Sequence, residues 1–450
     1  MLPPKFKEGR GVMLEISQGA KKALNMLNSA GYEAYIVGGC VRDMLMGNRA
    51  NDFDVTTSAM PMETKAVFNG ERTIETGLKH GTVTVVLNCE GIEITTYRVD
   101  GEYLDNRHPQ CVSFTRSLKE DLSRRDFTMN ALVYNEGEGV LDYFGGREDI
   151  KNKIIRAIGD PNKRFTEDAL RILRAIRFSS TLGFEIEEKT KKAMLECKHL
   201  LKNISKERVA VEINKFVLGK NVKNAILENY EILGEICPEF LKMRGFNQCN
   251  KWHIYDILEH TAVATSSVPA DLHLRLTMLF HDTGKVHTFF KDENGVGHFY
   301  GHGEKSAEIV KKYLDEYKYD NLTKEEVYEL VKHHDLYTEE DEVLVKKRLN
   351  RMGKERFSQL IKIQRADNAA QNPELTKMDH FDTLEKMVEE ISSQSCFTLS
   401  SLDITGNDLI ALGFVGKEIG DALSILLNEV IEEKIANEKK VLIKRAIDLK

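Results

Sequence analysis

The sequence predicts an α+β head, a small mixed or antiparallel sheet with helices, followed by an almost wholly helical remainder. Two patterns carry that expectation. Over 80–99, "HGTVTVVLNCEGIEITTYRV" alternates apolar and β-branched residues on both sides of "NCEG", as a β-hairpin does. From about Gly145 onward the alternation stops. There "TEDALRILRAIRFSSTLGF", "KERVAVEINKFVLG", "RLTMLFHDTGK", "KSAEIVKKYLDEY" and "KEEVYELVKHHD" carry helical spacing.

In chain order, "QGAKKALNMLNSAG" reads as a helix ending at Gly31, "EAYIVGG" as a short strand broken by glycines, and "VRDMLMG" as a new helix. At 450 residues the chain exceeds one compact core, so roughly two to four domains are expected. Glycine and asparagine breaks near 219, 249, 295 and 353 are plausible seams. The division expected is 1–146, 147–245, 246–370 and 371–450.

Charged residues make up 30% of the chain and the hydrophobic set 41%, an ordinary globular composition without long disordered tracts. The net charge of −7 argues against a uniformly basic, nucleic-acid-coating surface, so any such contact must come from local patches. "MLPPKFKEGRGVMLEI" lacks the apolar run of a signal peptide and no segment is apolar for long enough to span a bilayer, so a cytoplasmic protein is expected. Seven scattered cysteines without CxxC spacing suit reduced, packed thiols rather than a disulfide frame or a zinc knuckle.

One stretch concentrates chemistry. Gly38 and Gly39 sit where a strand hands over to a helix, so backbone N–H groups can approach a phosphate with no Cβ in the way. Arg42, followed by Asp43, lies in the first helical turn, where a guanidinium can grip phosphate oxygens in a bidentate fashion. Asp52 and Asp54, two apart, share a face of an extended segment and can jointly hold a hard divalent metal. A polar turn between two structural elements would use the same residue types.

The stretch "GGCVRDMLMGNRANDFDVTT" resembles the signature of class II nucleotidyltransferases of the polymerase β superfamily, a family that contains tRNA CCA-adding enzymes and bacterial poly(A) polymerases. Further matches follow in the family's order: "HGTVTVV", "IEITTYR", "DGEYLDNRHP", "EDLSRRDFTMNAL", "DYFGG" and "RFTEDALRILRAIRF". The resemblance runs over about residues 30–180. It implies that Gly38, Gly39, Arg42 and Asp43 meet the incoming nucleotide and that Asp52 and Asp54 hold magnesium. Glu93 stands where the superfamily tends to put a third carboxylate, and an outward strand residue would look the same. Arg125 and Asp126 of "RRDFT" are expected beside the sugar and phosphates.

"TEDALRILRAIRF" places Asp168, Arg171, Arg174 and Arg177 at intervals of three along one predicted helix face, with Leu170, Leu173 and Ile176 opposite. Cytosine and adenine both offer an exocyclic amino donor beside a ring-nitrogen acceptor. A carboxylate plus a guanidinium matches either, whereas uracil and guanine present the opposite polarity. The same pair also reads as a simple surface ion pair. The resemblance carries base selection to Asp168 and Arg171, with Arg174 and Arg177 as nucleotide or helix-positioning contacts. Residues 147–180 hold nine Lys/Arg against five Asp/Glu, a local +4 suited to a tRNA acceptor end.

The second half places His260, His281, Asp282, His302, His334 and Asp367 in "ILEHTAVA", "LFHDTGK", "FYGHGEKS", "VKHHDLY" and "QRADNAA". Imidazoles and carboxylates together suit a transition metal better than calcium. The pattern resembles the HD-superfamily metal-dependent phosphohydrolases. That resemblance implies His260, His281, Asp282 and Asp367 as the minimal ligand set, with His302 and His334 completing a two-metal version and His333 competing for the last place. A metal-stabilised module without substrate would use the same residues. The tail, "LSSLDITGNDLIALGFVGKEIGDALSILLNEVIEEKIANE", resembles the C-terminal helical segment of CCA enzymes with this insertion, and its "GKEIG" turn suits an RNA backbone.

Together these resemblances imply template-independent addition of CCA to the 3′ end of tRNA from CTP and ATP, with magnesium in the head and a divalent transition metal in the second half. Poly(A) polymerase, a CC-only or A-only enzyme, and an RNA-binding protein with dead sites are the alternatives. The basic "GRRFRLAH"-like signature of the poly(A) branch is absent, and "DGEYLDNRHPQCV" resembles the flexible loop linked to full CCA addition.

Overall fold

The computed structural model describes residues 13–50, 52–75, 77–101, 112–394 and 396–450. Most of "DGEYLDNRHPQCV", the first residues of the chain and Cys111 lie outside the described residues. The chain divides into two compact units, Met1–Asn221 with Glu231–Ile236, and Val222–Tyr230 with Cys237–Lys450.

The first unit is built on a seven-stranded mixed sheet. Its strands are β1 (Ala34–Val37), β2 (Asp54–Thr57), β3 (Arg72–Ile74), β4 (Thr82–Leu87) and β5 (Glu90–Thr96). After a short antiparallel pair, β6 (Arg98–Asp100) with β7 (Val112–Phe114), come β8 (Leu132–Asn135) and β9 (Gly139–Asp142). The order across the sheet is β3-β4-β5-β2-β1-β8-β9. Strands β4 and β5 form the anticipated hairpin, with Leu87 opposite Glu90. Its two-residue turn holds Asn88 at φ 50° and Cys89 at φ 63°, the left-handed pair whose twist matches the strands.

Both faces of the sheet are covered, which is why β1 is apolar throughout. Ile36 joins Val55, Val83, Val85, Ile92 and Ile94 beneath the helix Gln18–Ser29, which contributes Ala20, Ala23, Leu24 and Leu27. Tyr35 and Val37 point the other way, into a core with Tyr97, Leu118, Leu122 and Val133. Each such apolar side chain fully buried stabilises by roughly 1.5–3 kcal/mol relative to exposure. The helix Gly39–Leu45 starts directly after β1.

Beyond Gly145 the chain is helical, with two exceptions. β10 (Ile154–Ile155) pairs in parallel with β11 (Glu185–Ile186), and β12 (Phe290–Lys291) forms a small hairpin with β13 (Gly297–His298). Two-residue strands are too short to leave an alternation that sequence can reveal. The arginine segment also departs from the expected single helix. One helix runs Pro161–Glu167, Asp168 is extended at φ −140° and ψ 101°, and a second helix runs Leu170–Leu182. The Asp168 carboxylate accepts the Leu170 N–H at 3.1 Å, so an aspartate's preference for capping a helix start wins over continuation.

The second unit is all helical apart from the β12–β13 hairpin. Its main core packs Ala264, Leu274, Met278, Leu330, Val345, Phe357, Leu360 and Ile363. A separate cluster in the tail gathers Leu402, Leu409, Phe414, Leu426 and Leu442. Aspartates start four of its helices: Asp256 accepts from Glu259 N, Asp271 from Leu274 N, Asp320 from Thr323 N and Asp341 from Leu344 N. No helix among the described residues is long and apolar enough to cross a membrane.

Candidate functional sites

In the first unit, the strand-to-helix step after β1 opens onto a cleft of about 700 Å³, a size that accommodates a nucleotide. Gly38 sits at φ 86°, which favours glycine, and a Cβ there would stand 3.3 Å from the Arg125 guanidinium. The cleft is lined by Gly38, Gly39, Arg42, Asp43, Asp54, Arg125 and Asp126, and by Arg174, Arg177 and Phe178 from the second arginine helix.

Two of the three anticipated carboxylates, Asp54 and Glu93, are direct neighbours, and Asp52 acts on Asp54 through its charge. β2 and β5 run parallel with Asp54 opposite Glu93, so these two are lateral neighbours on adjacent strands. Phe53 is buried, while Asp52 and Asp54 on either side of it reach solvent at the edge of the cleft, where surrounding protein still partly desolvates Asp54. Burial, then the Glu93 charge, hold the Asp54 carboxyl above its usual range, with Asp52 adding to the effect and Arg125 opposing it. Among the described residues none of the three carboxylates makes a hydrogen bond or ion pair. Crowded, unpaired carboxylates are what a divalent cation stabilises, so the donor set fits magnesium.

Opposite these acids stands a hydrogen-bonded chain that ties three segments together. Arg42 donates to Asp43 Oδ1 at 2.9 Å and to Asn130 Oδ1 at 2.6 Å. Asn130 donates to Asp126 Oδ1 at 3.0 Å, and Arg174 Nε donates to Asp126 Oδ2 at 2.7 Å. Burial raises the Asp126 carboxyl, but Arg174 and Asn130 outweigh it and bring it down to about 2. Three guanidinium carbons surround the Phe178 ring, Arg177 at 4.0 Å, Arg42 at 5.0 Å and Arg174 at 5.6 Å from its centroid. Arg125 Nε is buried without a hydrogen-bond partner among the described residues, and the nearest carboxylate oxygen to its guanidinium, of Asp121, is 3.8 Å away. A set of fixed guanidiniums, with Arg125 alone lacking a close carboxylate among the described residues, suits a polyphosphate.

Asp168 and Arg171 are not paired with each other. Arg171 is held by Glu167 Oε2 at 3.0 Å and by the carbonyls of Arg164 and Arg124 at 3.0 and 2.8 Å. Asp168 meets Arg208 at 3.4 Å. Arg177 pairs with Glu212 at 3.2 Å. Asn130 and Phe178 escaped the sequence reading because each looks like an ordinary packed residue. For Phe178, only its position directly after Arg177, at the end of the arginine row, hinted at its role.

In the second unit the histidine set assembles as a cluster. Ligand atoms of His260, His281, Asp282 and Asp367 lie within 4.8 Å of one another, and Asp282 also joins His302 and His334 in a second such group. His334 takes the contested place, while His333 turns to Glu329 at 3.5 Å. Helix ends do the positioning: His281 and His334 close the helices Leu272–Phe280 and Asn321–His333, and His302 opens the helix His302–Glu316. Gly284 lets that last helix come close, since a Cβ there would stand 2.4 Å from the His302 carbonyl oxygen.

All four imidazoles donate Nδ1–H to a backbone carbonyl: His260 to Ala370, His281 to Met278, His302 to Phe299 and His334 to Val331. That fixes the tautomer and turns every Nε2 inward, the second-shell arrangement of metal-binding histidines. The Nε2 atoms then face one another, His260 to His281 at 3.3 Å and His302 to His334 at 3.1 Å. The Asp282 carboxylate is buried, with Lys285 2.8 Å from Oδ2 and the Nε2 atoms of His281 and His302 at 3.3 and 3.5 Å from Oδ2 and Oδ1. Convergent lone pairs and carboxylates demand positive charge between them. Burial pushes the His281 imidazolium down, yet Asp282 and Asp367 hold it up at about 10, while burial and His334 lower His302 to about 4. The donor set therefore fits one or two divalent metals. Lys285, whose ammonium lies 2.8 Å from Asp282 Oδ2, and His253, 3.3 Å from Lys285, were missed in sequence. "HDTGK" already contained the lysine signal.

The mixed-sheet head with its glycine strand-to-helix step, followed in the chain by a largely helical region, defines a chain with a poly(A) polymerase-type head. Residues 34–156 match the family described as "Poly A polymerase head domain", 183–243 match "Probable RNA and SrmB- binding site of polymerase A", and 301–446 match "tRNA nucleotidyltransferase domain 2 putative". A CCA-adding enzyme of Lactobacillus helveticus is 42% identical over 278 residues, 62% of this chain and 68% of that protein. One from Pediococcus pentosaceus is 47% identical over 224 residues, 50% of this chain and 56% of that protein, so the chain spans little more than half of that relative's length. The Bacillus stearothermophilus CCA-adding enzyme solved in complex with CTP superposes with a TM-score of 0.74 at 29% identity, covering 96% of this chain and 97% of that one. A Thermotoga maritima CCA-adding enzyme complexed with tRNA shares the fold at a TM-score of 0.60 and 19% identity over 95% of this chain and 94% of that one. The chain belongs to the CCA-adding enzyme family.

Proposed function

We propose that this chain adds CCA to the 3′ end of tRNA from CTP and ATP in its head cleft and carries an HD-type phosphohydrolase centre in its second unit. The division of labour follows the sequence: a catalytic head over 1–146, a nucleotide- and RNA-binding neck over 147–245, the HD centre over 246–370 and a tRNA-binding tail over 371–450. The observation that carries the reading is the pairing of Asp54 with Glu93 across parallel strands, in a cleft whose other wall is arginine.

Asp52 and Asp54 would hold magnesium, with Glu93 as the third carboxylate. When bound, the ions lower the cost of deprotonating the attacking hydroxyl and of releasing pyrophosphate. The residues of the chain do the rest. Gly38 and Gly39 let backbone N–H groups reach the triphosphate. Arg42 and Arg125 hold its oxygens, and Arg174 and Arg177 do so from the neighbouring helix. Asp126 anchors Arg174 and, through Asn130, Arg42. The 3′-hydroxyl of the tRNA attacks the α-phosphate in line, and pyrophosphate leaves. Asp168 and Arg171 read the base edge and admit cytosine or adenine. Incubating purified protein with tRNA ending at the discriminator base, with each nucleotide alone and with CTP plus ATP, followed by sequencing of the 3′ ends, tests the reading. CCA ends with CTP plus ATP support it, whereas poly(A) ends or no addition reject it.

In the second unit His260, His281, Asp282 and Asp367 would hold one transition metal, and Asp282, His302 and His334 a second. Such ions supply a Lewis acid and an activated water for phosphate-ester hydrolysis. Lys285 shares charge with Asp282, and the four backbone carbonyls fix the imidazole tautomers.

A further inference from the structure

The β12–β13 hairpin carries three clustered rings on its outer side. Phe290 and His298 stand directly opposite in register, with ring centroids 5.2 Å apart and planes inclined by 25°. His298 and Tyr300 lie 5.5 Å apart at 20°, and Phe290 and Tyr300 5.6 Å apart at 43°, so the three rings form a triangular cluster. Tyr300 is 74% exposed and Phe290 46%. His298 is fixed by Asp292, 3.0 Å from its Nε2. His298 is partly buried and inclined by 20–25° to each of two more exposed rings, which are themselves tilted by 43°, so Phe290 and Tyr300 keep aromatic faces in water on which a nucleobase can stack.

The other face of the same segment is bound into the metal cluster. Phe299 packs on Phe289 at 5.3 Å, and the Lys285 ammonium lies 5.2 Å from its ring centre while pairing with Asp282. The Phe299 carbonyl accepts Nδ1–H of His302 at 2.9 Å. Tyr300 is two residues from His302, so their Cα atoms are at most about 7 Å apart. Alternation along four residues thus puts ring faces in solvent at 298 and 300 and the support of a metal ligand at 299.

We propose that Phe290, His298 and Tyr300 form a nucleobase seat that holds the 3′-terminal nucleotide of an RNA strand while its phosphate ester lies at the HD centre. The inference rests on the phosphohydrolase reading of that centre. It makes Tyr300 and Phe290 specificity residues that select nucleotide esters over esters lacking a base. They touch the base and not the reacting atoms.

The test compares wild type, Tyr300→Ala, Tyr300→Phe and Phe290→Ala in the full chain. One assay measures hydrolysis of a short oligoribonucleotide ending in a 2′,3′-cyclic phosphate against bis(p-nitrophenyl) phosphate. Tyr300→Ala is expected to lower the kcat/KM ratio of oligonucleotide to nitrophenyl ester roughly tenfold, mainly through KM, with Tyr300→Phe restoring it. A second assay follows binding of the same oligonucleotide with 2-aminopurine as its last base, in chelator and with excess CTP occupying the head. Quenching of the fluorophore by wild type and its loss in Tyr300→Ala supports the seat even if no ester is hydrolysed, an outcome that would reject only the hydrolase reading. Hydrolysis of both substrates with an unchanged ratio in Tyr300→Ala, or equal quenching by both proteins, overturns the seat.

Discussion

Asp126 gives the sharpest test of how the head cleft is held. Its carboxylate is buried, accepts from Asn130 and from its neighbour Phe127 N–H, and anchors Arg174. The fall of its carboxyl from an ordinary 3.8 to about 2 corresponds to roughly 2.5 kcal/mol, at about 1.36 kcal/mol per pKa unit. A folded-state value below the unfolded one means stability that is complete above the unfolded value and lost as pH falls through the folded one. Asp126→Asn keeps the shape and removes the charge, so it is expected to destabilise the first unit by about 2–3 kcal/mol near pH 7. The gap from wild type should shrink to roughly half near pH 3, between the two pKa values. Urea unfolding followed by hydrogen exchange in peptides from β1 and β8 reads this unit alone. No gap near neutrality, or a gap that does not narrow in acid, would refute the electrostatic account. CTP affinity, measured in parallel, should fall as Arg174 loses its anchor.

Asp52→Ala and Asp54→Ala should each abolish nucleotide addition, seen on tRNA 3′ ends, while hydrolysis at the HD centre continues. Addition that survives either change would dismiss the carboxylate assignment. Asp168→Ala or Arg171→Ala should relax base choice more than metal binding, so UTP misincorporation rises in single-nucleotide extension. Unchanged rejection of UTP removes the base-reading role. Exhaustive chelation, or Asp282→Asn, should strip transition metal detectable by elemental analysis and lower the thermal midpoint of the second unit. At ion concentrations about a hundredfold above Kd the stabilisation removed is about 2.7 kcal/mol.

What sequence revealed, it revealed through period and residue type. The β4–β5 alternation, the glycine step after β1 and the helical remainder were all readable because one-sided burial leaves a repeat of two or 3.6 in the chain. The metal cluster was readable because histidine and aspartate with adjacent glycine are rarely spent on packing. What stayed hidden depends on contacts between distant segments. That Asp54 sits beside Glu93 requires a parallel register between β2 and β5, which no local pattern fixes. The break at Asp168 is a local competition that capping wins over helical propensity, and periodicity does not see it. The choice of His334 over His333 turns on where the helix Asn321–His333 ends, and element ends are the feature periodicity resolves least.

The two centres pose opposite electrostatic problems, and the fold answers each with a different kind of backbone. In the head, Glu93 and, to a smaller degree, Asp52 help to leave Asp54 raised, with Arg174, Arg42 and Arg177 held by Asp126, Asn130 and Glu212. That separation leaves the acids' charge uncompensated by the arginines, so that a cation gains most by binding there, and leaves the far wall positive. Were the arginines free to swing across, they would neutralise the acids and both partners would lose their seats. In the second unit Asp282 is already surrounded by His281, Lys285 and His334 and driven well below its usual range, so it remains ionised even at full burial. The neutralising groups there are imidazoles locked by carbonyls at helix ends, which cannot leave. On the proposed reading the head takes in and releases charge with each nucleotide, whereas the helical centre retains it.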